Sequence, residues 1–406
     1  MRVFRLSIIV CLLIGCMPLQ AKKQREKGEA LRFFFRANEW VDDFLLRGVD
    51  TNYIGLPEHS WNLALTCTGN GNISDLDTRY PGIGTVTFHT RTTPSAELGF
   101  SVGLKGFGFG YSWDLLHAYA SNLNFSFGSK SIGFEFRRQR STNLAGHVLF
   151  DHKNFLDLKV NKGDLWITNT SLSIWYALNS KHYSHNAAVK QSYIQKKSAG
   201  SLLLHLSYNA TDMHIRDNEL YSAALDTTYT LSMLTNNVNR MTTHQVSVGL
   251  GYGINYTPNK GKVLFHLSAS AMLVCYSINH IGHLAPDTVY LPGDPMYKVK
   301  ADYPVHVSGT MRAAISWEIN KWMYASVWAQ AYNMHFSSHK GELSSLCINN
   351  WNWTARMTLG VRFGAGKERV RKVLYGDNPK PQAEAKEQHK SKIPNWIAHY
   401  FFSPAF

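Results

Sequence analysis

The sequence predicts an all-β protein, an antiparallel up-and-down transmembrane β-barrel of about 12–14 strands. Three observations predict it. One segment reads as a hairpin with an apolar face and a small, polar face. Similar segments recur along the chain at lengths that suit a tilted strand crossing a bilayer. The N-terminus reads as an export signal, and no later run is apolar enough to form a membrane-spanning helix.

The hairpin is ELGFSVGLKGFGFGYSWDL, residues 97–115, in which the apolar residues shift from even to odd positions halfway along. Side chains of a strand alternate with a period of two, so a two-residue turn at Lys105–Gly106 explains the shift. The expected pairs are Leu104 with Phe107, Val102 with Phe109, Phe100 with Tyr111 and Leu98 with Trp113, and on the other face Gly103 with Gly108, Ser101 with Gly110 and Gly99 with Ser112. A soluble sheet usually carries charged residues on its outer face. A face of Gly and Ser instead suits a barrel interior, with the apolar face toward lipid.

The same pattern predicts further hairpins at Ser129–Lys130 and Asn259–Lys260, and a weaker one at Ser180–Lys181. The expected pairs are Phe127 with Ile132, Phe125 with Phe134 and Leu123 with Phe136; Tyr256 with Val263, Ile254 with Phe265, Tyr252 with Leu267 and Leu250 with Ala269; and Leu178 with Tyr183 and Ile174 with Ala187. The last strand, 351–363, alternates throughout.

The predicted strands are 59–68, 96–104, 107–115, 119–128, 131–140, 165–178, 183–193, 201–215, 243–256, 262–280, 304–319, 322–336 and 351–363. Bacterial single-chain barrels have even strand numbers. A further strand between Leu220 and Leu234 makes the number even, so 14 strands are favoured and 12 come next. Tight turns near 105, 129, 180, 217, 259 and 320 and both termini are then periplasmic, and the long connections 69–95, 141–164, 281–303 and 337–350 face outside.

Aromatic residues gather near the predicted strand ends, where interfacial belts occur. They are Trp113, Trp175, Tyr176, Trp317, Trp322, Tyr324, Trp351 and Trp353. The alternative is that these side chains fill the core of a soluble exported β protein.

The start MRVFRLSIIVCLLIGCMPLQAKK predicts a signal peptide, residues 1–21, cleaved after Ala21. A lipoprotein signal that leaves a lipidated Cys16 is the alternative. After cleavage at Ala21, Cys67, Cys275 and Cys347 remain. Their number and spacing indicate neither a disulfide framework nor a CxxC metal site. Residues 22–58 are expected to form an N-terminal periplasmic segment and 59–364 the barrel. Residues 365–406 form a basic flexible tail whose aromatic end is an interfacial anchor, a partner-binding peptide or a plug.

The net charge is +14 at pH 7. The chain is expected to be exported and carries no basic stripe on any one element, so its sequence does not indicate nucleic-acid binding. The excess charge is expected in the tail, against anionic lipid headgroups, or inside the barrel.

Several charged residues share the polar phase of the predicted strands and are expected to line the lumen. They are Glu97, Asp114, Glu135, Arg137, His266, Arg312, Glu318, Arg356 and Arg362. Rings of charge inside a barrel can set ion or solute selectivity. The same residues can instead pair across the lumen and plug it.

Three segments together carry a family resemblance: DTNYIGLPEHSWNLAL (50–65), GFSVGLKGFGFGYSWDL (99–115) and YALNSKHYSHNAAVKQSYIQKKSAGSLLLHLSY (176–208). They resemble a domain-of-unknown-function family of outer-membrane β-barrel proteins from Bacteroides-like, Gram-negative bacteria, over roughly residues 40–365. QKKSAGS at 195–201 is the most specific piece. The resemblance implies export and a barrel, and it brings no activity or catalytic residues.

Motifs for catalysis, cofactors or metals are weak in this sequence. GFGFG at 106–110 alternates as a strand and has no following helix, so it does not favour a phosphate-binding loop. His280 and His283 lack an obvious third ligand, and no GxSxG motif occurs. The sequence therefore favours a non-enzymatic, porin-like pore or envelope structural component in the outer membrane, without cofactor or metal. Its expected partners are outer-membrane lipid, the barrel-assembly machinery and small solutes or ions. The alternatives are a barrel enzyme acting on lipid or glycan and a soluble exported protein.

Overall fold

The structure is a computed structural model that describes residues 35–36, 38–80, 84–92, 95–115, 120–142, 144–150, 153–159, 165–215, 238–258, 261–283, 297–300, 306–338 and 345–364. The predicted signal peptide, the strand between Leu220 and Leu234, and the basic tail lie outside these residues.

The chain divides into two compact units. The first comprises Met1–Val41 and Gly366–Phe406, and the few residues of it that the structure describes are helical. The second, Asp42–Ala365, begins with the helical residues 42–46 (α1) and contains the strands.

The strands of the second unit, in chain order, are β1 (Ile54–Gly55), β2 (Trp61–Tyr80), β3 (Gly84–Thr92), β4 (Ser95–Leu104), β5 (Phe107–Asp114), β6 (Ser121–Gly128), β7 (Ile132–Thr142), β8 (Leu144–Phe150), β9 (Lys153–Lys159), β10 (Leu165–Ala177), β11 (Ile194–Gln195), β12 (Ala199–Ile215), β13 (Val238–Tyr256), β14 (Val263–His283), β15 (Tyr297–Lys300), β16 (His306–Glu318), β17 (Met323–Ser338) and β18 (Ser345–Phe363). One short helix, α2 (His185–Val189), lies between β10 and β11.

Twelve of these strands form a closed antiparallel barrel, which confirms the predicted fold class. Their order is β2, β4, β5, β6, β7, β10, β12, β13, β14, β16, β17 and β18, and β18 pairs with β2 to close the sheet. Each strand pairs with the next along the chain, so the barrel is an up-and-down meander. Four further strands extend it at one end. Strand β3 pairs with β2, β8 with β3 and β9 with β8, while β15 pairs with β14.

Among the described residues, no helix has the length and apolar character needed to cross a membrane.

The predicted strand at 183–193 is wrong, and so is the hairpin at Ser180–Lys181. Residue Ile174 pairs with Phe134 and Leu206 on the neighbouring strands β7 and β12, not with Ala187. The segment holds helix α2, whose N-cap Ser184 accepts a hydrogen bond from the backbone N–H of Ala187. Without this strand the number of predicted strands is already even, so the count needs no additional strand. The barrel has 12 strands rather than the favoured 14.

The register of the first hairpin is confirmed, with Leu104 opposite Phe107 and Leu98 opposite Trp113. Lys105 and Gly106 both have positive φ, 43° and 94°, as a two-residue turn of this type requires. At Gly106 an added Cβ would lie 2.4 Å from the carbonyl oxygen of Gly128, so the position also lacks room for a side chain.

The registers predicted for the other two hairpins are wrong by two residues. Phe127 faces Phe134 rather than Ile132, and Tyr256 faces Phe265 rather than Val263. The backbone bond from Ser129 N to Ile132 O moves the first of these turns one residue along. Because the shift is even, every side chain keeps its predicted face.

The two faces of the barrel differ sharply in chemistry. The exposed face carries large apolar side chains, among them Leu65, Phe109, Leu204, Leu250, Leu267, Met311, Val327 and Leu359. Residues in the opposite phase are buried and mostly polar. This arrangement, apolar outside and polar inside, is that of a membrane-spanning barrel.

Two residues of the predicted aromatic belt face inward instead. Trp175 and Tyr324 are buried, whereas Trp113, Tyr176, Trp317, Trp322 and Trp351 are exposed. Each of the two is next in sequence to an outward position, so alternation places it inside. Proximity to a strand end does not by itself distinguish an outward-facing aromatic ring from an inward-facing one.

Candidate functional site

The candidate site is the barrel interior, because the charged residues that the sequence singled out meet there. Glu97, Asp114, Glu135, Arg137, His266, Arg312 and Arg362 are buried. Arg356 and Glu318 lie in the same inward phase and are partly covered. Some of their partners lie on the same or an adjacent strand, and others, such as Arg312 for Glu135, come from strands that are not neighbours in the sheet, so these contacts cross the barrel.

The Glu135 carboxylate on β7 is the centre of the largest charged cluster. It accepts hydrogen bonds from Arg137 at 2.7 Å and from Asn124 at 2.8 Å. Arg312 of β16 lies 3.4 Å away on the other side of the barrel, and Lys190 Nζ lies 3.5 Å away. A single buried carboxylate thus faces three cations.

A second carboxylate, Glu97 on β4, is held by neutral donors. Asn70 donates to it at 2.7 Å and Ser112 at 2.5 Å. Asn70 in turn accepts a hydrogen bond from Gln139 of β7 at 2.6 Å. This chain of amides links β2, β4 and β7 through the interior.

Three of the inward arginines lie over inward-facing aromatic rings. Arg137 and Arg356 lie 5.0 and 5.3 Å from the ring centroid of Trp328. Arg362 lies 4.6 Å from the ring centroid of Tyr324 and forms a two-pronged pair with Glu318. Each guanidinium therefore has a partner that fixes its orientation.

The connection between β10 and β12, residues 178–198, folds into the barrel. All five residues of α2 and the preceding Tyr183 and Ser184 are buried. We call residues 183–193 the inner segment. Burial lowers the pKa of Lys190, in this segment, to about 8, while the Glu135 carboxylate opposes that shift.

The inner segment contacts the barrel wall on several sides. Asn186 donates to Ser129 O at 2.7 Å, and Asn255 of β13 donates to Ser184 O at 2.8 Å. Gln191 donates to Ser316 of β16 at 3.2 Å, and Arg362 of β18 donates to Gln191 O at 3.3 Å. The segment is therefore anchored to strands on opposite sides of the barrel.

Gln195 joins the inner segment to the N-terminal part of the unit. Strand β11 pairs with β1, placing Gln195 opposite Ile54. The buried Gln195 amide donates to His182 O at 2.6 Å and accepts from Ser184 N at 2.9 Å. This residue opens the QKKSAGS motif, so the most specific part of the resemblance coincides with a structural clamp.

Two further layers of side chains fill the interior toward the end with the long connections. In the first, Asn352 of β18 accepts hydrogen bonds from Asn72 at 2.6 Å and from Asn169 of β10 at 2.8 Å. The second is apolar and consists of the buried residues Ile167, Met213, Met241, Met334 and Ile348. Beside Lys190 and Glu135 a cavity of ≈ 90 Å³ remains, enough for a few water molecules.

One group of buried residues has the spacing of an activated serine. His266 Nε2 lies 3.2 Å from Ser268 Oγ, and His266 Nδ1 lies 2.8 Å from Asn255 Oδ1. Asn255 Nδ2 donates to Ser184 O and Gln195 Oε1, which leaves its oxygen facing the ring. Nδ1 then carries the proton and Nε2 can accept from the serine.

The structure places the charged residues named from the sequence inside the barrel, and it adds the inner segment and the serine–histidine–asparagine group, which the sequence did not predict. The small and polar run HNAA at 185–188 lies within the predicted strand 183–193. The signal that was available is its failure to alternate. Among the described residues, no group of three or more His, Cys, Asp and Glu could hold a metal ion.

Comparison with known families decides the relationship. The family described as "Domain of unknown function (DUF4421)" matches residues 48–363. The chain belongs to this family. The DUF4421 match spans the barrel from before β1 to the end of β18 and includes the inner segment. No curated protein matches the chain.

Solved structures similar to this DUF4421 chain include outer-membrane proteins. The outer-membrane protease OmpT from Escherichia coli is 10% identical with a TM-score of 0.36, and the match covers 76% of this chain and 98% of that one. OprG from Pseudomonas aeruginosa is 12% identical with a TM-score of 0.27, covering 76% and 98%. The toluene transporter TodX from Pseudomonas putida is 7% identical with a TM-score of 0.26, covering 75% and 90%.

Proposed function

We propose that the protein is a non-enzymatic outer-membrane barrel with a closed interior, an envelope structural component rather than an open pore. The observation that carries this proposal is the inner segment, anchored to opposite sides of the barrel with Lys190 and Arg312 converging on Glu135. A membrane location is supported by the apolar outer face.

The closure consists of paired charges rather than a ring of free charge. A conducting pore needs solvated groups along its path. Here the inward carboxylates and guanidinium groups bind one another or neutral amides, and the amide and apolar layers lie beyond them. An ion would have to break these pairs to pass.

Planar-bilayer recordings of the purified full chain test the closure. The wild-type protein should show no stable conductance. A variant with residues 183–193 replaced by a Gly–Ser linker, combined with Met241→Ser and Met334→Ser, should produce discrete conductance steps. A matched control with only Met241→Leu and Met334→Leu, which keeps both the inner segment and the apolar layer, should remain silent. Stable open-channel currents from the wild type would refute a closed interior.

Fractionation tests the location independently. The protein should appear in the outer-membrane fraction and migrate differently on a gel when boiled and unboiled. Recovery from the soluble periplasm with unchanged migration would contradict the membrane proposal and favour the soluble alternative.

A second candidate function, a barrel hydrolase, rests on the group formed by Ser268, His266 and Asn255. Its geometry allows the histidine to accept the serine proton. Ser268 is, however, only 6% exposed, and the His266 ring lies against His185 of the inner segment, with 4.9 Å between ring centroids. The hydrolase therefore requires the inner segment to move.

A fluorophosphonate probe distinguishes the two candidates. The closed structural barrel predicts no labelling of the folded wild type. Labelling that disappears in Ser268→Ala and persists in the neighbouring Ser270→Ala would favour the hydrolase.

A further inference from the structure

The outer surface of the barrel changes from apolar to polar along one part of β7, β10, β12 and β13. One row of outward cross-strand partners is Phe136, Leu172, Tyr208 and Val246. The next outward rows are Arg138, Thr170, Ala210 and His244, followed by Arg140, Thr168, Asp212 and Thr242. Cations and hydroxyls therefore begin where the apolar band ends.

The two exposed arginines lie at the end of the barrel with the long connections. Arg140 pairs with Ser121, the first residue of β6, so it lies at the start of that strand. Arg138 is the preceding outward residue of β7. Long connections face outside in bacterial barrels, so both arginines lie at the level of the outer-leaflet headgroups.

The Arg140 guanidinium is held in place by a stack of rings. Its carbon lies 5.2 Å from the centroid of Trp166, and Trp166 stacks on His214 at 4.4 Å with an interplanar angle of 13°. Nearby, Arg240 binds both carboxylate oxygens of Asp212 at 3.0 Å. The Asp212 carboxylate is thus paired with Arg240 rather than with Arg140.

A guanidinium presents a planar fork that binds two oxygens of one phosphate. Two such forks on adjacent outward positions of one strand suit a ligand that carries more than one phosphate group. Thr168 and Thr170, on the neighbouring strand, can bond sugar hydroxyls. The chemistry that this surface recognises is therefore a phosphorylated sugar attached to a lipid.

We propose that Arg138 and Arg140, with Trp166 behind Arg140, bind the phosphate groups of a phosphorylated glycolipid of the outer leaflet. This inference rests on the proposed outer-membrane location. It adds a bound lipid to a barrel that the proposed function treats only as a closed structure.

Binding to purified, detergent-solubilised full chain tests the proposal by native mass spectrometry. The ligands are diphosphoryl lipid A, the same lipid with both phosphates removed, phosphatidylglycerol, and inorganic phosphate as competitor. The double variant Arg138→Gln/Arg140→Gln should weaken binding of diphosphoryl lipid A roughly 30-fold, which corresponds to about 1 kcal/mol for each arginine. Arg138→Lys/Arg140→Lys, which keeps the charge but lacks the planar fork, should recover only part of the binding.

The matched control is Lys262→Gln/Lys321→Gln, which removes two exposed charges from the turns at the opposite end. It should bind as the wild type does. Heat-modifiable migration verifies that every variant is folded.

Equal binding of lipid A with and without phosphates would overturn the proposal. Equal binding of phosphatidylglycerol, or displacement of lipid A by millimolar inorganic phosphate, would also overturn it, because the site would then recognise phosphate alone. A wild type that fractionates with the outer membrane and yet shows no preference refutes only the lipid site. A soluble wild type refutes the proposed function.

Discussion

Replacing Glu135 by Gln removes the one carboxylate that holds three cations together inside the barrel. Arg137 lies 2.7 Å from it, Arg312 3.4 Å and Lys190 3.5 Å. Without the negative charge these cations repel one another in a site with little water. Breaking a buried ion pair by removing one partner typically costs about 3–5 kcal/mol.

The matched control is Glu97→Gln, a buried carboxylate whose hydrogen-bond donors Asn70 and Ser112 are neutral. An amide can keep part of these bonds, so the expected cost is nearer ~1 kcal/mol. The two variants have the same change in charge and size, and differ in the cations that the carboxylate faces.

Urea titration of the barrel folded into lipid vesicles measures both free energies of unfolding. The Glu135→Gln midpoint should fall well below that of Glu97→Gln. Trypsin should also cleave Glu135→Gln at Lys190, because the inner segment loses its ion pair. Equal midpoints for the two variants, with Lys190 equally protected, would refute the argument that Glu135 holds the inner segment.

Three further changes test the faces, the first turn and the clamp. Leu250, 64% exposed in the apolar band, should cost ~2–4 kcal/mol when replaced by Arg and almost nothing when replaced by Ile, and equal urea midpoints would mean that this face does not meet lipid. Gly106→Ala places a Cβ at a φ of +94°, so it should lower the free energy of unfolding by more than ~1 kcal/mol, whereas Ser131→Ala in the next turn should not. Gln195→Ala removes the clamp on the inner segment and should speed trypsin cleavage after Lys190, and cleavage no faster than in the exposed control Leu202→Ala would contradict the clamp.

Much of the barrel could be predicted from the sequence because its two faces meet different solvents. Alternation at Leu104–Phe107 identified both the first turn and its register. At Ser129 and Asn259 the turn position was ambiguous by one residue. That error displaced the registers by two while leaving every face correct, since side chains repeat every second residue.

The failure of the inner segment to alternate argues against a strand, but its position inside the barrel could not be predicted, because its environment is neither lipid nor water. Residues 183–193 are surrounded by protein, so no periodic pattern is imposed on them. Their contacts, such as Arg312 with His185 at 3.3 Å, join positions that are far apart in the chain. Local pattern reasoning can find which residues point inward, but not which of them meet.

The contact between Arg362 and Gln191 joins residues 171 positions apart and lies at the seam where β18 closes on β2. The middle of the chain therefore cannot complete its packing until the last strand has been added. Contacts of such high sequence separation slow folding, because the entropy of a long loop must be lost before they form. The barrel therefore closes and completes its interior packing in one late folding step. A chain ending before β18 would lose both the pairing of β18 with β2 and the contact between Arg362 and Gln191.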